Sequence, residues 1–85
     1  MSDKLGADKT TQLLSEVAHE LEQAQIQYPG FNSLHEGYAV ILEEVDELWE
    51  LVRQKQSHTI GFQGRQECIQ IAAMALRMII DRQLT

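Results

Sequence analysis

The stretch SLHEGYAVILEEVDELWELV, residues 33–52, decides the fold because it reads as one amphipathic helix with its own start signal. Ser33 is a good N-cap, and Glu36 three residues on completes the Ser-x-x-Glu pattern of a capping box. At about 100° per residue, apolar and acidic side chains fall on opposite sides of the helix. The apolar side holds Ile41, Val45, Leu48 and Val52, flanked by Tyr38 and Trp49. The pattern predicts a helix over about 33–56.

The acidic side of this helix admits two interpretations. Five acids fall within the eleven residues 42–52, namely Glu43, Glu44, Asp46, Glu47 and Glu50. A solvated face is the first interpretation, and a site for divalent cations is the second. Clustered like charges repel and weaken a helix unless a cation lies between them. Glu44 lies at the seam beside the apolar side, and Glu47 is close enough on the helix to reach the same site.

A second helix is predicted before this one, over about 9–27, with Thr10 or Thr11 as its cap. Its apolar stripe has three- and four-residue steps and consists of Leu13, Leu14, Val17, Ala18, Leu21 and Ala24. The helix should end at YPG, residues 28–30, because the proline ring clashes with a continuing helix. The polar residues 1–8 are predicted to be a flexible N-terminus. Residues 9–85 are predicted to form a single all-α domain.

A third helix is predicted over about 64–82, after a loop at 57–64 in which Gly61 and Gly64 act as breakers. Its segment CIQIAAMALRMII, residues 68–80, is apolar all round apart from Gln70 and Arg77. Three short helices cannot cover such a helix from every direction. The sequence therefore predicts a helical-bundle homo-oligomer, most simply a two-fold dimer, with a tetramer left open. Cys68 is interpreted as a small buried filler, and Trp49 as a core or interface residue.

Composition excludes several classes of protein. The chain has 85 residues, a hydrophobic fraction of 44% and a net charge of −6, which is typical of one small acidic domain. Its seven Lys and Arg are scattered, which argues against nucleic acid as a partner. No apolar run is long enough to cross a membrane, and the first ten residues show no secretory signal. A single cysteine fits a reducing compartment, so a cytoplasmic location is expected.

Glu67 and Gln70 can complete a site with the acids of the central helix. They stand one turn apart at the start of the third helix. If the two helices are antiparallel, three carboxylates and one amide oxygen converge there. Oxygen ligands of this kind suit Mg²⁺ or Mn²⁺, whereas Zn²⁺ normally recruits Cys or His. The three histidines show no metal-ligand spacing.

The chain resembles a known family at these residues. EEVDE at 43–47, then nineteen residues, then ECIQ at 67–70 is similar to the signature of the MazG-like all-α nucleoside triphosphate pyrophosphohydrolases. That signature is E-E-x-x-E, a spacer of about this length, and E-x-x-D. Residues 33–52 and 67–81 also resemble small MazG-like proteins of phages and mobile elements. The wider group includes the dimeric all-α dUTPases.

The resemblance implies a set of site residues. Glu44, Glu47 and Glu67 would be metal ligands, and Glu43 would be the additional catalytic acid of the signature. Gln70 stands at the fourth ligand position, where the family has Asp; it offers an oxygen but no charge. Because of this departure, a second interpretation stays open, in which the protein is a degenerate member of the family without activity.

Substrate contacts are less specific in the sequence. Arg77, two turns after Gln70, could meet a phosphate or form an ion pair with Asp81 at i+4, and both interpretations stay open. His35 is a candidate substrate contact because it adjoins the acidic helix. Phe31 and Tyr38 could stack on a base, although aromatic residues more commonly pack against other parts of the protein.

The resemblance implies hydrolysis of a nucleoside triphosphate, or its deoxy form, to the monophosphate and pyrophosphate. Such clearance of unwanted nucleotides would require Mg²⁺, with Mn²⁺ as a substitute. The alternative is a non-catalytic helical dimer that binds a nucleotide or a protein partner. Gln70 is the feature that favours this alternative.

Overall fold

The computed structural model describes residues 2–54 and 60–85, with the side chains of residues 2–7 outside that description. It contains three α-helices, α1 at Ser2–Gln27, α2 at Leu34–Val52 and α3 at Ile60–Asp81, and the described ranges hold no strand. The all-α class with three helices is thus confirmed, while the homo-oligomeric bundle stays a prediction. None of the helices in these ranges is long and apolar enough to cross a membrane.

α1 begins earlier than the sequence predicted. It starts at Ser2 rather than near residue 9, so residues 2–8, predicted as a flexible segment, are helical. Thr10 and Thr11 accordingly lie inside the helix and do not cap it. The sequence of residues 2–8 has no apolar stripe of helical spacing, which is why the pattern misplaced the start.

α2 begins as predicted and ends sooner. Ser33 caps it, and its hydroxyl accepts a hydrogen bond from the Glu36 backbone N–H at 3.0 Å. The Glu36 carboxylate bonds the backbone N–H of Asn32 at 3.2 Å, one residue before the position of a standard capping box. The helix ends at Val52, and the backbone N–H of Gln54 donates to the Leu51 carbonyl in a tightened last turn. The end predicted at 55–56 lies outside the described residues.

α3 also begins earlier than predicted. Gly61 and Gly64 lie in its first turns with ordinary negative φ angles, so they do not break the helix. Each glycine costs a helix about 1 kcal/mol, which tertiary contacts can offset. Arg65, one residue after Gly64, forms a bidentate pair with Glu16 of α1. Of the predicted loop, residues 57–59 lie outside the described part of the chain.

α3 is the middle helix and packs on both neighbours, whereas α1 and α2 do not pack on each other within the described ranges. α3 runs parallel to α1, since Glu16 meets Arg65 and Ala24 meets Arg77 farther along both helices. It runs antiparallel to α2, where the backbone at Gly37 comes very close to Met78. A Cβ at Gly37 would lie 3.0 Å from the Met78 sulfur. A groove opens between α1 and α2, with α3 as its floor.

The core is small and lies along α3. Its buried apolar residues are Val17, Ala24, Phe31, Ile69, Ala73 and Met74. The burial of Phe31 agrees with its interpretation as a packing residue. Met78 is partly buried and packs against the same core.

Several predicted core residues are exposed. In α1 only part of the stripe is buried, since Leu13 and Leu14 face solvent. In α2, Ile41 packs against the core, whereas Val45, four residues on and on nearly the same side of the helix, is exposed. Trp49 is also exposed, which excludes a core role within the chain. Cys68 is exposed and is therefore not a buried filler.

Arg77 joins the ends of the helices. It is 3% exposed and its Nε bonds the Asp81 carboxylate at 3.1 Å. The two remaining nitrogens donate to the backbone carbonyls of Ala24 and Tyr28, at 3.0 and 2.6 Å. Its guanidinium also lies 5.6 Å from the centre of the Phe31 ring. These contacts pin the end of α1 and the following loop to α3.

Candidate metal centre

Three carboxylates converge where α2 and α3 face each other. Glu44 and Glu47 project from one turn of α2, and Glu67 projects from α3. One oxygen from each residue lies within 4.8 Å of the others. The antiparallel arrangement of α2 and α3 produces this meeting, because it sets the start of α3 beside the second half of α2. We refer to these three residues as the acidic triad.

Glu67 is the least satisfied member of the acidic triad. Its Oε2 atom is buried and accepts no hydrogen bond from the described residues. A buried oxygen without a partner loses its solvation and gains nothing in return, and the loss is greatest when it carries charge. A proton or a cation at the triad would remove this cost.

Two members of the acidic triad, Glu44 and Glu47, have raised pKa values. Burial, together with the neighbouring carboxyl groups of Glu67 and Glu47, raises the pKa of the Glu44 carboxyl to about 7. The pKa of Glu47 is also raised, chiefly by the negative charge of Glu67. Three carboxylates at this distance repel one another, so the metal-free cluster retains a proton near neutral pH.

This proton gives the metal-free protein a specific pH dependence. Folded Glu44 keeps its proton up to about pH 7, whereas an unfolded glutamate releases it near 4.5. Between these values the folded state binds more protons, so stability falls as the pH rises. Over this pH range we expect the Glu44→Gln variant to lose about 1 kcal/mol less folding stability than the wild type, after allowance for the solvent exposure of the group.

Thermal melts in a chelator, at about pH 5 and about pH 8, measure this effect as the difference between wild type and Glu44→Gln. Glu22→Gln, at an exposed position of α1, is the matched control and should keep the wild-type pH dependence. If all three proteins lose stability equally between the two pH values, Glu44 does not hold the proton.

The donor set suits a hard divalent cation. All of its atoms are carboxylate oxygens, which Mg²⁺ and Mn²⁺ prefer. A positive charge would interact favourably with the buried Glu67 Oε2, which has no partner among the described residues. It would also reduce the repulsion among the three carboxylates. The residues present therefore fit the metal that the resemblance implies.

The acidic triad lies in the groove between α1 and α2, which has a volume of about 880 Å³. This is within the range of roughly 300–1,000 Å³ typical of small-molecule sites. The groove floor carries Gln70, Met74 and Arg77 of α3, and Tyr28 and Phe31 of the loop after α1 also line the groove. The acids therefore stand at the wall of a space large enough for a nucleotide.

Gln70 reaches the groove but is engaged by α1. Its amide nitrogen donates to the Glu20 carboxylate. Its role as a fourth metal ligand through the amide oxygen stays a prediction. Glu20 lines the groove and was not singled out from the sequence. A signal was available, because Glu20 lies on the same side of α1 as the buried Val17 and Ala24, where an acid is out of place.

The other predicted site residues do not join the acidic triad. Glu43 is exposed and acts at a distance, since its charge makes a minor contribution to the raised pKa of Glu47. His35 is exposed and is not among the residues that line the groove. Arg77 lines the groove, and its ion pair with Asp81 is present, as one of the two interpretations predicted. A phosphate contact by Arg77 stays a prediction.

Over residues 2–54 and 60–85, the fold and the site define an all-helical protein of three helices with an acidic cluster at the wall of a groove. The chain matches no family model, and searches of curated proteins and solved structures gave no significant match. Function must therefore be argued from the acidic triad and the groove.

Proposed function

We propose that the chain is a Mg²⁺-dependent nucleoside triphosphate pyrophosphohydrolase. It would hydrolyse a ribo- or deoxyribonucleoside triphosphate between the α- and β-phosphates and release the monophosphate and pyrophosphate. The observation that carries the proposal is the convergence of Glu44, Glu47 and Glu67 within 4.8 Å at the wall of an 880 Å³ groove. The resemblance to MazG-like proteins in the spacing of these acids points to the same reaction.

Glu44, Glu47 and Glu67 would hold the metal, with Gln70 as a neutral fourth ligand. The ion would supply positive charge for the phosphates and would acidify a bound water. A protein of net charge −6 needs such a cation, because its own acids would otherwise repel a polyanion. Mn²⁺ has similar ligand preferences and is expected to substitute.

The chain's own residues would bind the substrate and handle the proton. A glutamate whose pKa lies near 7, as that of Glu44 does, is suited to accept a proton at neutral pH. Glu43 stands outside the triad and would act on it through its charge. Phe31 and Met74 give the groove an apolar surface against which a nucleoside could pack.

Substrate contacts by Arg77 and His35 remain part of the proposal. Arg77 reaches the groove with three of its N–H groups already bonded to protein. The guanidinium has five donors in all, so a phosphate contact would use the remaining two. His35 would have to contact a part of the substrate that extends beyond the groove.

A second function is favoured by one observation. The Gln70 amide is tied to Glu20, so the fourth position offers the metal no charge. A non-catalytic helical module that binds a nucleotide or a protein partner would tolerate this loss. An enzyme would tolerate this loss of charge only if the three carboxylates alone can bind the metal.

The two functions are separated by product analysis. Purified protein is incubated with each of the common ribo- and deoxyribonucleoside triphosphates, with Mg²⁺, with Mn²⁺ and with a chelator. We expect equal amounts of monophosphate and pyrophosphate in the two metal arms and neither in the chelator arm. Release of orthophosphate would contradict the proposed cleavage site. Nucleotide binding by calorimetry without any hydrolysis would favour the non-catalytic module.

A further inference from the structure

Glu20 is an acid on the apolar stripe of α1. It lies between the buried residues Val17 and Ala24, at steps of three and four residues, and is itself half-buried. A charged group in such a position loses part of its hydration and needs compensation from a partner. The contacts of Glu20 indicate what provides that compensation.

Glu16, one turn earlier on the same side of α1, has a structural partner. Its carboxylate forms a bidentate ion pair with Arg65 of α3. No ion pair among the described side chains includes Glu20. Its partner is the neutral Gln70, whose amide nitrogen lies 2.5 Å from the Glu20 carboxylate. Glu20 therefore brings to the groove a negative charge that no described cation offsets.

The bond to Glu20 fixes the orientation of the Gln70 amide. A carboxylate offers only acceptors, so the NH₂ group of Gln70 must face α1. The carbonyl oxygen of the same amide is then left for a different partner, and the charge-assisted bond polarises it. Gln70 lies one turn after Glu67 on α3, and both residues line the groove. The amide oxygen is therefore available to a cation in the groove.

The lining of the groove favours a cation. Among the described residues it includes one cation, Arg77, and five acids, namely Glu20, Glu36, Glu44, Glu47 and Glu67. Arg77 is already paired with Asp81. A divalent ion at the acidic triad would be attracted by the charge of Glu20 as well as by its own ligands.

We propose that Glu20 is a positioning residue of the metal centre. It holds the Gln70 amide with its oxygen available to the cation, and it supplies from α1 the negative charge that Gln70 lacks. This inference rests on the proposed metal site. Hydrogen-bonded carboxylates of this kind orient metal ligands and raise their basicity. The neutral Gln70 is then compatible with a metal centre, because the amide and the Glu20 carboxylate act as a pair.

Glu20→Gln tests the inference with Mg²⁺ alone, without any nucleotide. The change keeps the shape of the side chain and removes its charge, and two facing amides can pair in either orientation. We expect the Mg²⁺ affinity measured by calorimetry to fall about 10- to 100-fold. The rise in thermal midpoint on addition of Mg²⁺ should shrink accordingly, and the metal-free midpoint reports whether the variant folds.

Glu16→Gln is the matched control. It makes the same chemical change one turn earlier on α1 and breaks the ion pair with Arg65. Glu16 is not among the residues that line the groove. The control weakens the contact between α1 and α3 and should leave the Mg²⁺ affinity at the wild-type value.

A second variant exchanges the pair by combining Glu20→Gln with Gln70→Glu. It preserves composition and net charge and moves the acid from α1 to α3. The amide on α1 can then donate to the carboxylate on α3, so the two side chains stay bonded. We expect this variant to bind Mg²⁺ at least as tightly as the wild type.

Two outcomes overturn the inference and leave the metal site in place. The first is Mg²⁺ binding that Glu67→Gln abolishes and Glu20→Gln leaves unchanged. The second is an equal loss of Mg²⁺ affinity in Glu20→Gln and Glu16→Gln. A wild type that binds no Mg²⁺ overturns the metal site and the inference with it. If Glu20→Gln fails to fold, the exchange variant decides, since binding weaker than that of the wild type would show that the two side chains do not act as a pair.

Discussion

Glu67→Gln is expected to abolish metal-dependent stabilisation and to lower any pyrophosphohydrolase turnover by roughly 100-fold or more, as the loss of a charged ligand would. The same change should raise the stability of the metal-free protein. It replaces a carboxylate, whose buried Oε2 has no hydrogen-bond partner among the described residues, by a neutral amide of the same shape. It also removes the charge that contributes most to the raised pKa of Glu47.

Glu67→Gln is thus expected to remove the stabilisation by Mg²⁺ and to increase the stability of the metal-free protein. Because these two effects have opposite signs, they distinguish a metal ligand from an ordinary surface acid. Thermal melts with and without Mg²⁺ give both effects, because a ligand that binds only the folded state raises the midpoint. Glu50→Gln is the matched control: it makes the same chemical change on α2, where Glu50 forms an exposed ion pair with Arg53. Glu50→Gln should leave both midpoints and the turnover near the wild-type values. If the two variants behave alike, the acids of α2 are a solvated face and the metal proposal is wrong.

Arg77→Met is expected to cost about 3–5 kcal/mol of folding free energy, the usual cost of breaking a buried ion pair. The change leaves the Asp81 carboxylate, whose side chain is 16% exposed, without its cation. It also removes the donors to the Ala24 and Tyr28 carbonyls at the end of α1. A domain of this size has only about 5–15 kcal/mol of stability, so much of the fold is at risk.

Urea unfolding measures the loss, and Arg53→Met is its control. Arg53 pairs with Glu50 on the surface, with both side chains more than half exposed, so its removal should cost less than about 1 kcal/mol. Magnesium-free conditions ensure that metal binding at the acidic triad does not contribute to either measured stability. Equal losses in the two arginine variants would mean that Arg77 does not hold the helix ends together.

Part of the site could be predicted because helical periodicity is local. The three-residue step from Glu44 to Glu47 puts both carboxylates on one turn whatever surrounds them. The sequence could assign Glu67 to the same site only on the assumption that α2 and α3 are antiparallel. The structure shows this arrangement. Glu20 was missed because its place in the groove depends on how α1 packs on α3. The bond between Glu20 and Gln70 joins residues fifty positions apart in the sequence.

The sequence by itself determined the all-α class, the Ser33 cap of α2 and the clustering of acids on that helix. Each of these follows from interactions within a few residues along the chain. Only the tertiary structure decided which apolar residues are core. Ile41 and Val45 looked equivalent on the wheel, yet α3 packs near Ile41 and leaves Val45 exposed. The physical reason is that periodicity gives a direction around the helix axis, whereas burial requires a partner in that direction, and packing alone supplies it.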